Sequence, residues 1–380
     1  MADFAVVGGG VFGVWIARHL LLRGHRVMLI EAYGAGNSRS SSGGESRILR
    51  MGYGSDVLYT RWAVRSLAQW QEISRAQQVP LFVNCGMLWL GDAADPYTRD
   101  IETNLAGEGI PHQRLSGEEI RRRFPQFGLE GVERAIFEPG SGVLMARRAV
   151  AAVLADSVRA GLCYLPAAVI SPEERGARVA ELRTADGETI SAQAFIFACG
   201  SWLPKVFPGL LGRRIFPSRQ EVLFFGPPRG AREYQPDRMP AWLHHREEVY
   251  GLPDLEHRGI KLACDTHGEP FDPDTGCRAV SAERIQEMRE HLRRRLPGLT
   301  DAPVVEARVC QYENTSNGDF LLDRHPQWEN VWLAGGGSGH GFKHGPAIGQ
   351  YLAGRILDGA PAEERFSLSS KQEQQQRQVY

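Results

Sequence analysis

An α/β fold built on a dinucleotide-binding sheet, joined to a second, β-rich domain, is predicted by three features of the sequence. The first is the turn Gly8-Gly9-Gly10-Val11-Phe12-Gly13, set between the apolar run 4–7 and a helical pattern. The second, more than 300 residues further on, is Gly335-Gly336-Gly337-Ser338-Gly339-His340-Gly341, between the apolar run 331–334 and a helical pattern that continues to Leu357. Each reads as strand, tight turn and helix start, the arrangement that points backbone amides at a phosphate. The third is the stretch 216–312, where several runs alternate apolar and polar residues as half-buried strands do.

The elements follow in order. Residues 3–7 read as a short buried strand and 11–23 as a helix ended by Gly24, with a strand at 26–30 closing on Glu31. The small polar stretch 38–44 is a loop, and 59–77 has helical periodicity. From 81 to about 138, strands alternate with polar helices, Met87-Leu88-Trp89-Leu90 being one strand. A helix over 147–160 stops at Gly161; strands at 162–165 and 169–171 precede a hairpin turning at Asp186-Gly187 and a buried strand at 194–199. A helix spans 282–295. The 380 residues exceed what one core usually supports, so two domains are expected. Residues 1–84, 142–216 and 318–363 are assigned to a discontinuous cofactor domain and 85–141 and 217–317 to a substrate domain. The segment 364–380 is a tail, Gln-rich and disordered from Lys371 onward.

Composition narrows the function classes. A hydrophobic content of 42%, a charged content of 23% and a formal net charge of −1 describe an ordinary globular chain. The runs Arg121-Arg122-Arg123 and Arg293-Arg294-Arg295 lie among acids on helical stretches and read as solvated faces, so neither nucleic acid nor a membrane surface is an expected partner. Cys85, Cys163, Cys199, Cys264, Cys277 and Cys310 form no CxxC pair and stand in no His-rich spacing; no metal site or disulfide framework is expected. The apolar N-terminus lacks a basic flank, and no apolar run reaches the ~18 residues of a membrane span. A cytoplasmic monomer or small homo-oligomer is the expectation.

Gly8, Gly10 and Gly13 satisfy GxGxxG, Val11 and Phe12 open the helix, and Glu31 ends the next strand, followed by Ala32. The glycines allow a tight turn and close approach to a pyrophosphate, and the acid accepts from ribose hydroxyls. This motif alone does not separate FAD from NAD. Lysine usage adds a pointer: of 44 basic residues only Lys205, Lys261, Lys343 and Lys371 are lysines. In a chain that uses arginine almost everywhere, a lysine marks a place for a compact ammonium whose pKa can be adjusted. Lys205 and Lys371 have bland settings; Lys343 lies just after the second glycine turn and Lys261 in the strand-like Gly259-Ile260-Lys261-Leu262-Ala263-Cys264.

The fingerprint, Gly44-Glu45-Ser46-Arg47-Ile48-Leu49-Arg50, Tyr250-Gly251 with Lys261, Cys310-Gln311-Tyr312 and Gly339-His340-Gly341-Phe342-Lys343 occur in one order. That series resembles the monomeric sarcosine oxidase and N-methyltryptophan oxidase family of D-amino-acid-oxidase-like flavoproteins, from Asp3 to about Leu357. The resemblance implies an FAD-binding Rossmann-like domain of the glutathione-reductase type and an α+β substrate domain with a mainly antiparallel sheet. It also implies residue roles. Cys310 matches the cysteine that attaches to the flavin ring, the alternative being a small core residue. Lys261 matches the lysine that activates O2, and Arg50 and Lys343 the pair that clamps the substrate carboxylate. Arg47 matches a flavin-contacting arginine, Ser41 and Ser46 lie in the same cofactor loop, and Val169, Gly200 and Trp202 fall at further cofactor-side positions. Tyr250, Tyr312 and His340 match active-site residues, and the amides of Gly339 to Lys343 are placed to stabilise negative charge on the flavin.

Three stretches depart from the family pattern: Ser42-Gly43 and Asp265 stand where relatives carry histidines, and Glu313-Asn314-Thr315-Ser316-Asn317 replaces a threonine-rich stretch. The resemblance therefore implies an FAD-dependent oxidase of secondary or cyclic amino acids with a pocket of its own, Asp265 favouring a substrate with an added cationic or hydrogen-bonding group. Hydride leaves the C–H next to nitrogen for flavin N5, the imine hydrolyses, and O2 reoxidises the flavin to give H2O2. The alternatives are a dehydrogenase of a D-amino acid or 2-hydroxy acid that uses another acceptor, and a non-catalytic flavin-bearing partner protein.

Overall fold

The structure, a computed structural model, describes residues 2–172 and 176–376. Its first sheet has seven strands drawn from distant stretches of chain. Across it lie Leu321–Arg324, Val331–Gly335, Thr189–Phe197, Ala2–Val7, Val27–Ile30 and Cys163–Leu165, with Glu181–Arg183 paired to Thr189–Phe197 as a hairpin. The pairings from Val331–Gly335 through to Cys163–Leu165 are all parallel, so Val7, Ile30, Leu165, Phe197 and Gly335 end on one edge. Ligands in open α/β sheets bind outside that carboxyl edge. Phe4, Ala5, Val6 and Val7 are buried, as a strand covered on both faces requires.

The helix after each glycine turn packs on the other. Val11–Leu22 and Gly345–Asp358 meet so closely that a Cβ on Gly349 would stand 2.5 Å from Trp15 O. The turns themselves touch: a Cβ on Gly341 would lie 2.8 Å from the tip of Phe12.

The second sheet has eight strands. Val304–Thr315, Ile215–Phe225, Ile260–Cys264, Val249–Leu252 and Ala241–His244 are followed by Met87–Gly91, Arg134–Glu138 and Gln113–Ser116. All neighbours are antiparallel except Ala241–His244 with Met87–Gly91. The helix Ala282–Arg295 covers one face, burying Met288 and Leu292 among Leu223, Phe225 and Leu262; Ser281 caps it by accepting from Arg284 N at 3.1 Å. A small third sheet pairs Gly142–Leu144 with Arg47–Leu49 and Phe82–Val83. It fixes the segment that leads from Arg47 to Arg50.

Two expectations are corrected. Residues 169–171 do not form a strand: Val169 makes one isolated bridge with Thr184, and Ile170 is exposed, because the stretch has no longer partner to extend along. The tail is docked where it is described. Lys371 is fully buried, its Nζ donating to Asn317 Oδ1 at 3.0 Å and to Arg365 O at 2.6 Å, and Gln372 N donates to Ser316 Oγ at 2.8 Å. A Gln-rich composition says nothing about a turn elsewhere in the chain that offers it acceptors. The last four residues of the expected disordered stretch, 377–380, lie outside the described residues.

Gly349→Val places a branched side chain where Trp15 O already sits. It is expected to cost about 1–3 kcal/mol, read as a lower urea midpoint; an unchanged midpoint would contradict the close approach of the two helices.

Candidate active site

The first glycine turn is shaped by contacts that only glycine permits. Gly8 has φ +108°, and a Cβ there would lie 2.4 Å from Ala198 O; a Cβ on Gly13 would lie 1.8 Å from Gly8 O. Gly10 caps the following helix with no side chain, and Val11 N donates to Ser42 Oγ at 3.0 Å. Glu31 holds the turn from the next strand: Oε2 accepts from Gly9 N at 2.6 Å and Oε1 from Tyr33 N at 2.7 Å. Besides its expected role toward a ribose, this carboxylate is therefore a strut of the turn.

Around the turn runs a cavity of about 280 Å³. Of the expected cofactor residues, Gly8, Gly10, Val11, Phe12, Glu31, Ala32, Ser41, Arg47, Val169, Gly200, Trp202, Gly339, Gly341 and Phe342 line it. Gly13 stands behind Gly8 instead. Three polar atoms of residues lining this cavity are buried without a protein partner, Ser41 Oγ, Gln311 Nε2 and Glu313 Oε2. Burial pushes the Glu313 carboxyl up to about 7, and its Oε1 accepts from Gly337 N at 3.3 Å.

A second cavity, of about 60 Å³, adjoins the first through a shared wall of Arg47, Tyr312, Gly339 and Phe342. It gathers Arg50, Tyr250, Lys261, Cys310, His340 and Lys343, which the sequence scatters over almost 300 positions. Ser46 enters through its main chain, its carbonyl accepting from Lys261 Nζ at 2.9 Å. Arg47 donates to Ser41 O at 2.6 Å, to Ser46 O at 2.8 Å and to Cys310 Sγ at 3.4 Å. The His340 ring stacks on Phe320 with Nε2 3.0 Å from Gly318 O, while the His340 carbonyl accepts from Lys343 Nζ at 3.0 Å. His340 thus meets Lys343 through its main chain.

Arg50 and Lys343 are linked by Tyr53, which the sequence reading missed. The Arg50 guanidinium lies 4.2 Å from the Tyr53 ring and 4.7 Å from the Trp89 ring, and Lys343 Nζ donates to Tyr53 Oη at 2.7 Å. Tyr53 Oη is also 2.7 Å from His344 Nε2; because it accepts from the lysine, its own proton goes to that nitrogen. Burial, then the neighbouring Arg50, holds Lys343 well below the ordinary lysine range, and burial with Arg47 does the same to Lys261. Asp265 is the counter-charge. Burial pushes its carboxyl up to about 6, against the opposing pull of Tyr312, Arg50 and Lys343, and Tyr312 Oη donates to it at 3.0 Å. Tyr53, Trp89 and Glu138 carried no motif; the one available signal was an acid closing the apolar Ala135-Ile136-Phe137 run.

With this geometry in place, comparison with known proteins identifies the class. Residues 3–355 match the family described as FAD dependent oxidoreductase, and the chain belongs to it. Monomeric sarcosine oxidase of Streptomyces avermitilis is 31% identical over 95% of this chain and 94% of its own length. Peroxisomal sarcosine oxidase of Homo sapiens is 30% identical over 92% and 90%, and N-methyl-L-tryptophan oxidase of Yersinia pseudotuberculosis 27% over 92% and 94%. Among solved structures, L-proline dehydrogenase from P. horikoshii superposes with a TM-score of 0.84 at 21% identity, covering 97% of this chain and 96% of that one. Glycine oxidase from Geobacillus kaustophilus does so with 0.79 at 23%, covering 97% and 98%. The expected cofactor fold is thereby borne out.

The cavity fits FAD on its own terms. The glycine cradle, the helix start opening on it and the three unpartnered polar atoms are what a pyrophosphate and the polar groups of a dinucleotide would satisfy.

An anion set against Arg50 and Lys343 is expected to feel the protonation of Asp265. As pH falls through about 6 Asp265 gains a proton and stops competing for Arg50 and Lys343, so acetate is expected to bind the holoprotein more tightly on the acid side. Asp265→Asn should remove that step. Titrating the bound flavin absorbance with acetate on either side of pH 6 checks both, and a step that survives in Asp265→Asn would contradict it.

Proposed function

We propose that the protein is an FAD-dependent oxidase of small secondary or cyclic amino acids. One observation carries the reading: a cavity holding Arg50 and Lys343 on a common tyrosine opens onto the dinucleotide cavity through the wall of Arg47, Tyr312, Gly339 and Phe342. A carboxylate set against Arg50 and Lys343 meets a fork and a point charge, which fix its direction. The substrate nitrogen then lies among cations, and nearby positive charge disfavours the ammonium form, leaving the lone pair that hydride loss from the adjacent C–H needs. FAD, held by the first cavity, would supply the two-electron acceptor for that hydride, with O2 as the final oxidant and hydrogen peroxide as its product. The substrate leaves as an imine that water hydrolyses.

Lys261 serves the oxygen side. A buried amine with depressed proton affinity stabilises negative charge as it develops on oxygen and can give up a proton there. Cys310, 3.4 Å from the Arg47 guanidinium, is read as the point of covalent attachment. At about 60 Å³, on a measure by which one water takes about 10–15 Å³, the second cavity favours a small substrate over one with a bulky aromatic group. The reading assigns residues 1–84, 142–216 and 318–363 to the cofactor domain and 85–141 with 217–317 to the substrate domain. It places the protein, as a monomer or small homo-oligomer, in the cytoplasm, in keeping with six free cysteines. Among the described residues no helix is long and apolar enough to cross a membrane.

The deciding experiment is anaerobic bleaching of the bound flavin with a panel of N-methyl and cyclic amino acids, followed by air. Bleaching by one of them with rapid recovery is expected. Bleaching only by a 2-hydroxy acid, or recovery only with an added electron acceptor, would replace this reading. Lys261→Met is expected to slow recovery in air by about a hundredfold or more while leaving bleaching near its original rate; equal slowing of both would remove Lys261 from the oxygen step. Denaturation in acid should leave flavin on the wild-type chain and release it from Cys310→Ala.

A further inference from the structure

We propose that Glu138 is a positioning residue for the carboxylate clamp, the buried anion that holds the turn and the ring between which Arg50 is set. The inference rests on the clamp reading above and adds a residue that neither the resemblance nor the pocket lining brings forward.

Glu138 ends the strand Arg134–Glu138, in register with Met87, and is 1% exposed. Its carboxylate accepts four hydrogen bonds: from Met51 N at 2.8 Å, Gly52 N at 3.1 Å, Trp89 Nε1 at 2.6 Å and Ser141 Oγ at 2.5 Å. Two of these partners belong to the turn that runs from Arg50 to Tyr53, and a third is the indole lying against the Arg50 guanidinium. The same turn returns to Arg50 through Gly52 O, which accepts from Arg50 Nη1. The fit leaves no slack, since a Cβ on Gly52 would lie 2.8 Å from Glu138 Oε1.

All four partners donate, so both oxygens must accept. Only the ionised carboxylate does this; an amide would turn an N–H toward a donor and leave a buried group unsatisfied. The turn fixes Tyr53 in the next position, and Tyr53 accepts from Lys343. One carboxylate therefore locates both rings around Arg50 and, through Tyr53, the lysine. Its negative charge also acts directly on Arg50 and Lys343, easing the burial of two cations together.

The test compares holoprotein of wild type and Glu138→Gln, with acetate as the probe and the bound flavin absorbance as the signal. Wild type should bind acetate saturably; if it does not, the clamp reading itself falls and this inference with it. Given binding by wild type, Glu138→Gln is expected to weaken it about tenfold or more. With the amino acid that bleaches the flavin, KM should rise by a like factor while the limiting bleaching rate, flavin content and rate of recovery in air stay near wild type. A merely structural role would move flavin content and recovery together with binding. Equal acetate affinity in the two proteins would overturn the proposal. If Glu138→Gln does not fold, Ser141→Ala removes one donor and leaves the charge in place. A loss of about threefold in acetate affinity would then support the proposal, and no change would overturn it.

Discussion

Four basic side chains, Arg47, Arg50, Lys261 and Lys343, share one small interior space, and their mutual repulsion is the constraint the surrounding structure answers. The chain supplies most of their partners. Main-chain carbonyls of Ser41, Ser46, Gly52 and His340 accept from them, aromatic faces of Tyr53, Trp89 and Tyr250 lie against them, and acids stand near. Each answer costs freedom elsewhere. Ser41, Ser46 and Gly52 commit their carbonyls to these cations, and the segment that carries them runs as short turns and a three-residue strand.

The two sheets divide this work. The parallel sheet brings glycine turns to its carboxyl edge, where backbone amides and three unpartnered polar atoms suit a dinucleotide. The antiparallel sheet supplies side chains from its own strands: Lys261 and Tyr250, on adjacent strands, and Cys310 line the second cavity, Glu313 lines the first, and Tyr312 lines both, the last three coming from the long strand Val304–Thr315. That strand pairs with Ile215–Phe225 along nearly its whole length, which gives a rigid support for residues that face both cavities.

Much of this was legible in the chain because it is local. Gly8, Gly10, Gly13 and Glu31 are tied by spacing alone, and the rarity of lysine singled out Lys261 and Lys343 before any contact was known. The helix Ala282–Arg295 stands where the sequence places it, and Ser281 caps it. What escaped depends on who sits next to whom. Arg50 and Lys343 meet through Tyr53, an unremarked residue in a Gly-Tyr-Gly turn, and Glu138 earns its place from three partners far away in sequence. Lys371 looked like part of a solvated tail, yet burial holds it down at about 7 among acceptors from 317 and 365. Composition describes a segment's average; a buried partner is a property of one position.

The route of the chain through the parallel sheet sets the order of assembly during synthesis. Ala2–Val7 and Thr189–Phe197 pair side by side, but the next strand along, Val331–Gly335, is translated about half a minute after the first at ~10 residues per second. Until then one flank of Thr189–Phe197 has only the short hairpin strand Glu181–Arg183 beside its start, and half of the glycine cradle is missing. While the chain is still being made, therefore, the sheet edge is incomplete and the cofactor site unfinished. A cavity whose lining runs from Val7 to Phe342 cannot close around a dinucleotide until nearly the whole chain has been made.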